Sequence, residues 1–156
     1  MAEMGLDASI IGTRRAGGSL LVTRSRLRFF AKATGQTDPV FLDVEAARRA
    51  GYPDLPVPPT FYFGVDLEVP AAIEQLVELG VDLRAVLHGE QKFTYHAIAC
   101  AGDELTSSAV VTDVYERKGG ALKFLVTEVP IVNQHGIIVV TMRNTLVVRQ
   151  LAGATT

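Results

Sequence analysis

The sequence predicts an α+β fold, with helices in the first half of the chain and an antiparallel sheet in the second half. Two observations support this prediction. Residues 23–80 contain short runs with helical spacing, which begin at capping residues and stop at glycines. Residues 87–150 instead contain segments rich in Val, Ile and Thr that are separated by turn sequences. At 156 residues the chain has the size of one domain, which we expect to span residues 1–156.

The first helix is predicted to begin at the N-cap Thr23 and to stop at Gly35. Leu27, Phe30 and Ala31 are spaced as i, i+3 and i+4, so they share one apolar face. The other face is basic and holds Arg24, Arg26, Arg28 and Lys32. A charged helix face of this kind is most simply interpreted as a surface in contact with solvent.

Shorter helical elements follow. Asp43 is placed as the N-cap of a helix that ends at Gly51, and a proline-rich loop comes next. After Thr60 the apolar spacing allows one or two helical turns, which are interrupted before Pro70. The segment Ala71–Leu79 has helical spacing and is followed by a glycine, so it predicts a further helix.

In the second half of the chain the sequence predicts four strands arranged as a meander. The turns between them are Ala101-Gly102-Asp103, Lys118-Gly119-Gly120 and Asn133-Gln134-His135-Gly136, which are typical of hairpins and tight reversals. A short strand near Ser19–Val22 is expected to add an edge to the sheet. The four predicted strands cover residues 87–96, 105–117, 121–133 and 137–150.

The composition excludes several classes of protein. A net charge of −2 and a pI near 5.9 give no general attraction to nucleic acid or to a membrane surface. No uncharged apolar run is long enough for a membrane span, and the N-terminal residues do not resemble a signal peptide. A single cysteine, Cys100, indicates a reducing, cytoplasmic compartment, and its apolar neighbours favour a buried, unreactive thiol. The mean hydropathy of +0.25 is high enough to suggest burial against another subunit, although a set of long buried strands would also raise it.

One segment carries a family resemblance. It reads Gly35-Gln36-Thr37-Asp38-Pro39-Val40-Phe41-Leu42-Asp43, continues with Gly51-Tyr52 and ends at Val57-Pro58-Pro59. This layout resembles the MaoC-like dehydratases, also called R-specific enoyl-CoA hydratases, and within them the FAS1-like N-terminal type of domain. The strand over residues 88–96 and the turn Ala101-Gly102-Asp103 resemble a second landmark of that family. The resemblance covers most of the chain. It implies a hot-dog fold, in which a curved antiparallel sheet wraps around a central helix, here expected over Ala71–Leu79.

The resemblance also implies that the catalytic residues are absent from this chain. In the family an Asp and a His act as the general acid and base that add water to an enoyl thioester. Carried over by position, the Asp falls on Gln36 and the His on Phe41. Glutamine cannot take a proton from water at neutral pH, and phenylalanine cannot exchange one at all. A family His-Gly pair, whose backbone N–H donates to the thioester carbonyl, falls on Pro58-Pro59, and proline has no N–H.

Shifting the alignment along the chain does not place an Asp and a His five residues apart anywhere in the sequence. The chain contains three histidines, His88, His96 and His135, and none follows an Asp by five residues. His88 and His96 lie eight residues apart in one predicted strand, so they are expected on the same side of it, without the further ligands that a metal site needs. His135 is placed in an exposed turn. Asp38 is interpreted as a turn residue.

The function implied by the resemblance is that of a subunit of an (R)-specific enoyl-thioester hydratase or 3-hydroxyacyl-thioester dehydratase, in which this chain binds the acyl chain and an Asp–His-bearing partner does the chemistry. No cofactor is implied, since the substrate itself carries coenzyme A or the phosphopantetheine arm of a carrier protein. The partners implied are an acyl thioester and either a second copy or a catalytic MaoC-like subunit. The predicted acyl-binding residues are Gln36, Asp38, Phe41, Tyr52, Pro59 and Phe61, the last three in a loop that runs from Tyr52 to Phe63.

Two other functions stay open at this point. One is an acyl-thioester-binding homodimer without catalytic activity. The other is a hot-dog thioesterase that uses Asp66, Glu68 or Glu74 as its base or nucleophile, although these carboxylates are more simply interpreted as facing solvent. The basic face of the first helix could also contact the phosphates of a coenzyme A or phosphopantetheine arm.

Overall fold

The computed structural model describes residues 6–150. They form a five-stranded antiparallel sheet with the strand order β1-β3-β4-β5-β2. The strands are β1 Arg14–Leu21, β2 Val86–Tyr95, β3 Glu104–Arg117, β4 Leu122–Val132 and β5 Ile138–Arg149. The helices are α1 Arg24–Ala33, α2 Val44–Arg49, α3 Phe63–Asp66 and α4 Ala71–Glu78, with single 3₁₀ turns at Ala8–Ile10, Pro39–Phe41 and Leu83–Ala85. The predicted α+β class is confirmed.

The predicted helix ends are confirmed in detail. The Thr23 hydroxyl accepts a hydrogen bond from the Arg26 N–H at 3.3 Å, and the Asp43 carboxylate accepts one from the Ala46 N–H at 2.7 Å. Gly35 and Gly51 follow α1 and α2 with φ angles of +71° and +96°, a left-handed conformation that glycine adopts without strain.

The predicted four-strand meander is wrong for β2. The strands β3, β4 and β5 are neighbours joined by hairpins, but β2 pairs with β5 at the far edge of the sheet. The link between β2 and β3 is eight residues long, from His96 to Asp103, and is too long for a tight hairpin. Part of that link, at Cys100, forms a bridge to Pro56 in the proline-rich loop. The predicted edge strand near Ser19–Val22 is confirmed and extends back to Arg14.

The central helical segment of the fold is α3, and the assignment of that role to Ala71–Leu79 is wrong. Val65 is fully buried, whereas in α4 the side chains of Ile73 and Val77 are 51% and 57% exposed. The two helices are separate because Pro70 lacks the N–H that a continuous helix would require there. A helix over Ala71–Glu78 is itself confirmed, but it caps one end of the sheet with Leu76.

The buried apolar side chains form two clusters. We call the first the large core, and it packs α1, α3 and the proline-rich loop against one face of the sheet, here called the inner face. The second, the small core, packs α4 and the N-terminal turn against the same face nearer one end. The sheet contributes Leu105, Val129, Ile131 and Met142 to the large core, among others, and Val111 and Leu125 to the small core.

A β-bulge in β2 changes which side chains face inward. His88 pairs with Leu146 and Glu90 with Thr145, so Gly89 is an extra residue in the ladder. The prediction that His88 and His96 share one side of the strand is therefore wrong. His88 faces inward, while His96 lies on the outer side, where its Nε2 is 3.0 Å from the Thr141 hydroxyl.

Some apolar side chains remain exposed. Phe29 at the surface of α1 is 77% exposed, and the edge strand β2 exposes Leu87 and Tyr95. Exposed apolar surface next to an edge strand is a common feature of surfaces that pair with another chain. Across residues 6–150, none of the helices is both long enough and apolar enough to cross a membrane.

The glycine pair in β1 allows this strand to approach α3 closely. A Cβ placed on Gly18 would clash with the Val65 carbonyl oxygen in α3. We expect Gly18→Ala to lower the free energy of unfolding by about 1–3 kcal/mol, because backbone would have to move. Urea denaturation would measure the change.

Gly64→Ala is the matched control for this substitution. Gly64 lies in α3 and has no left-handed φ, and a methyl group added there would meet no heavy atom within 4 Å. A gain of up to about 1 kcal/mol is expected at this position, since alanine favours a helix. Equal effects of the two substitutions would contradict the packing of β1 against α3.

Candidate functional site

The candidate site is an open apolar groove of about 670 Å³ between α1, α3 and β2. Its walls are formed by Phe30, Thr34, Thr60, Phe63, His88, Gln91 and Phe93. A second hollow of about 340 Å³ adjoins it and shares Phe30, Thr60 and Phe63 as walls. The second hollow also reaches Phe29 and Phe61, so aromatic side chains dominate both.

Aromatic contacts fix the shape of the groove. Phe30 and Phe61 pack edge to face, with ring centroids 5.4 Å apart. Phe93 and Tyr95 on β2 stack in parallel at 6.1 Å. The Tyr95 hydroxyl donates a hydrogen bond to the Pro59 carbonyl at 2.9 Å, which ties the proline-rich loop to β2. This contact fixes the end of the loop that leads directly into Thr60, which is a wall of the groove.

The same loop is fixed at its other end by an ion pair. The Arg24 guanidinium on α1 makes a two-pronged contact with Asp54, with a shortest distance of 2.6 Å. This hydrogen bonding lowers the pKa of Asp54 to about 2. Between these anchors, Val57 donates its N–H to the Ala99 carbonyl at 2.9 Å.

The predicted acyl-binding residues lie in several places. Of the six, Phe61 lines the second hollow, whereas Gln36, Asp38, Phe41, Tyr52 and Pro59 do not line either hollow. Their role in binding stays a prediction.

Three of these residues have local contacts. The Gln36 side chain accepts a hydrogen bond from the Asp38 N–H at 3.0 Å, and Asp38 in turn accepts one from the Val40 N–H at 3.0 Å. Tyr52 packs against the large core. The interpretation of Asp38 as a turn residue is confirmed, because it caps the 3₁₀ turn that begins at Pro39.

An acid–base pair of the family type is absent from the part of the chain that the structure describes. None of its histidines makes an ion pair or a hydrogen bond with a carboxylate: His96 contacts Thr141, and His135 contacts Gln134. His88 packs edge to face on Phe63 with ring centroids 5.7 Å apart. Within residues 6–150 there is likewise no group of three potential metal ligands.

The carboxylate on α3, that of Asp66, is buried, and both of its oxygens accept hydrogen bonds. Asp66 is 3% exposed, and the interpretation of it as a solvent-facing residue is wrong. Arg15 on β1 donates to both of its oxygens, at 3.1 and 2.6 Å, and the Ser107 hydroxyl donates to Oδ1 at 3.0 Å. Because Asp66 is buried and both of its oxygens already accept hydrogen bonds, neither oxygen is free to contact water or a thioester, so this arrangement does not favour the thioesterase role considered for Asp66.

The arginines of α1 have partners within the chain. Besides the Arg24–Asp54 pair, Arg26 lies 2.7 Å from Glu68, and the Arg28 Nε donates to the Leu42 carbonyl at 2.9 Å. These contacts hold α1 against the loops around the groove. They leave less of the basic face available for a phosphate group than the sequence suggested.

Cys100 is buried in the link between β2 and β3, as its neighbours predicted. Burial raises the pKa of its thiol, which keeps the sulfur protonated and unreactive at neutral pH.

The sequence indicates only some of the residues that line the groove. Phe63 lines it and lies at the end of the predicted loop, but His88, Gln91 and Phe93 carry no signal that assigns them to a site. The alternation of Gln91 and Phe93 indicates that they share a face of β2. Which face that is depends on a pairing between strands that lie far apart in the sequence.

These features define the class of protein: a hot-dog domain with an apolar groove beside its central helix. Comparison with known proteins agrees with this class. The model of the FAS1-like dehydratase domain region matches residues 9–142, so the chain belongs to the FAS1-like, MaoC-type dehydratase family.

Relatives of similar length match most of the chain. The chain is 44% identical over 132 residues to the UPF0336 protein Lxx02810 of Leifsonia xyli, covering 83% of this chain and 85% of the relative. It is 35% identical over 147 residues to a UPF0336 protein of Streptomyces griseus, covering 94% and 97%.

Solved structures show the same fold. The HadBC (3R-hydroxyacyl-ACP dehydratase) complex of Mycobacterium tuberculosis contains a chain with 26% identity and a TM-score of 0.75, covering 90% of this chain and 99% of that one. A MaoC-like dehydratase superposes with a TM-score of 0.81 at 24% identity, covering 94% of this chain and 44% of that one. The predicted family and the hot-dog fold are both confirmed.

The buried ion pair yields a prediction about stability. Asp66→Asn keeps the side-chain volume but leaves the Arg15 guanidinium without a balancing charge. We expect the free energy of unfolding to fall by about 3–5 kcal/mol. Glu68→Gln is the control two residues away, where the pair with Arg26 is largely exposed and the loss should stay within about 1 kcal/mol. Chemical denaturation of both variants checks this, and similar losses would contradict the burial of Asp66.

Proposed function

We propose that this chain is the non-catalytic, acyl-chain-binding subunit of an (R)-specific enoyl-thioester hydratase or 3-hydroxyacyl-thioester dehydratase. A partner subunit with an Asp–His pair carries out the chemistry. The observation that supports this proposal best is an open apolar groove, walled by Phe30, Phe63 and Phe93, in a dehydratase-family chain whose described residues contain no acid–base pair.

The chemistry explains the need for a partner. Hydration places a hydroxyl on the β-carbon of the enoyl thioester and a proton on the α-carbon, so a base must take a proton from water and an acid must supply one. At the family positions this chain has Gln36 and Phe41, and Gln36 is occupied in a hydrogen bond to the Asp38 N–H. The groove itself presents rings, hydroxyls, an amide and one imidazole.

The groove is suited to an acyl chain. Its aromatic walls would stabilise a bound acyl chain by removing the methylene groups of that chain from water, at about 0.8 kcal/mol for each fully buried group. The volume of about 670 Å³ falls in the usual range for a small-molecule site.

The position of the groove also suits a two-subunit enzyme. It borders β2, which is an edge strand with unpaired backbone groups on its outer side. A partner that added its own edge strand there would place its side chains next to the groove. HadBC, which this chain resembles, is described as a complex.

Hydration assays on the chain alone and on the chain with a partner subunit distinguish the proposed roles. We expect the purified chain alone to leave the ultraviolet absorbance of crotonyl-CoA unchanged, since its described residues contain no paired acid and base. Co-purified with an Asp–His-bearing family member from the same organism, it should raise the hydration rate of that partner by about tenfold or more. The control is the same partner with its catalytic His replaced by Ala, which should be inactive in both preparations. Hydration by the chain alone would overturn the proposal, and binding without any active pair would favour an acyl-binding homodimer.

A substitution in the groove tests where the acyl chain lies. Thr60 is exposed and forms part of both hollows, so Thr60→Trp should fill the groove. In the complex, the KM for a long-chain enoyl-CoA is expected to rise about tenfold while that for crotonyl-CoA changes little. Thr106→Trp, at an exposed threonine of β3 that lines neither hollow, is the control. Equal effects on long and short substrates would contradict an acyl-chain role for the groove.

A further inference from the structure

A row of polar side chains crosses the inner face of the sheet. Gln91 on β2 pairs with Asn144 on β5, and Asn144 pairs with Thr127 on β4. On one side of this row lie Val129 and Met142 of the large core. On its other side lie Leu125 and Leu146, which belong to or pack against the small core. The two apolar clusters are therefore separated by a polar row, which we call the polar band.

The buried ion pair faces the same band. Arg15, Asp66, Thr127 and Asn144 line one small, partly open cavity of about 70 Å³, together with Phe63 and His88 among others. The share of liquid volume of one water molecule is about 30 Å³, so this cavity has room for about two waters or for one small functional group.

The polar band has hydrogen-bonding capacity that the chain does not use. Buried side-chain atoms without a hydrogen-bond partner, as found in residues 6–150, are Arg15 Nε, Asn144 Oδ1, and Nε2 and Oε1 of Gln91. All of them belong to this band or to the ion pair facing it. A buried polar atom without a partner destabilises the fold, so a cluster of such atoms favours the binding of water or of a polar ligand group there.

The groove leads to this cluster. Gln91 is a wall of the groove, and Phe63 and His88 are walls of both the groove and the small cavity. A chain lying in the groove therefore contacts the Gln91 side chain, whose amide atoms are buried behind that wall. The rings of Phe63 and His88, whose centroids are 5.7 Å apart, form a wall that the two spaces share.

The charges select the kind of group that fits. Arg15 is already neutralised by Asp66 at 2.6 Å, so an added carboxylate would face an anion without a free cation to balance it. The unused atoms comprise donors as well as acceptors. A hydroxyl both donates and accepts hydrogen bonds, and it carries no charge.

From these observations we infer that the polar band is a subsite for a hydroxyl group on the acyl chain, beyond the carbon at which hydration takes place. The ligand class is a coenzyme A or carrier-protein thioester with a hydroxylated chain. This inference rests on the proposed function, because it requires that the groove holds an acyl chain. The band lies within one chain, so binding does not require the partner.

The test is calorimetric titration of the purified full chain with coenzyme A esters of equal chain length. One ester is saturated, and the others carry a single hydroxyl at successive positions beyond the β-carbon. We expect one hydroxylated ester to bind about tenfold more tightly than the saturated ester. In Asn144→Leu and in Gln91→Met the ratio of the two dissociation constants should fall to about twofold or less. Two variants are used so that poor folding of one, judged by circular dichroism, does not decide the result.

Thr145→Val is the matched control. Thr145 is a buried residue next to Asn144 on β5, but it alternates to the other face of the sheet. Its substitution should keep the tenfold ratio. The inference is overturned if the saturated ester binds and no hydroxylated ester binds more tightly, or if the preference survives in both band variants. Failure of every ester to bind, the saturated one included, would instead overturn the acyl-binding function as well.

Discussion

The arrangement of the helices on this sheet depends on the buried contact between Asp66 and Arg15. The helix α3 has only four residues, and an isolated helix of that length is not stable in water. It is held because Asp66 takes two hydrogen bonds from Arg15 and one from Ser107, while Ser107 also accepts the Gly18 N–H at 2.9 Å. These bonds connect α3 to two strands at once. Since Phe63 is the first residue of α3, they also fix a wall of the groove.

The groove results from short elements that are fixed by contacts between distant residues. The proline-rich loop is held by Asp54 at one end and by Tyr95 at the other, with buried prolines between them. Prolines restrict the backbone before folding, so such a loop loses less entropy when it is ordered. The result is a preformed apolar surface. A preformed surface suits a binding subunit, because little ordering free energy is lost when the ligand enters.

Local signals in the sequence predicted local structure well. The capping residues Thr23 and Asp43 and the glycines that end α1 and α2 lie where expected, because these interactions involve residues a few positions apart. The family motif likewise indicated the fold. The edge position of β2 was not predictable in the same way, since it depends on pairing with β5, about 50 residues further along the chain. The burial of Asp66 was missed because its partner Arg15 is 51 residues away and neither residue lies in a motif.

The candidate site was predicted only in part for the same reason. Phe61 could be named from the motif, but the opposite wall comes from β2, whose inward face is set by the bulge at Gly89. An alternating pattern gives the two faces of a strand and does not tell which of them is buried. Polar side chains on an inner face, such as Gln91 and Asn144, oppose the simple apolar pattern and are assigned to the surface by default. Functional residues are often found at such positions.

The bulge in β2 also has a consequence for how this strand can change over evolutionary time. Because Gly89 is accommodated as one extra residue, His88 and Gln91 both face inward, although strict alternation would place them on opposite faces. A Cβ at Gly89 would lie 2.9 Å from the Val147 side chain, so a larger residue at the inserted position would require Val147 to move. The insertion is absorbed where it occurs. Deletion of Gly89 would therefore leave His88 and Gln91 both on the inner face, because it would remove only the extra residue of the ladder.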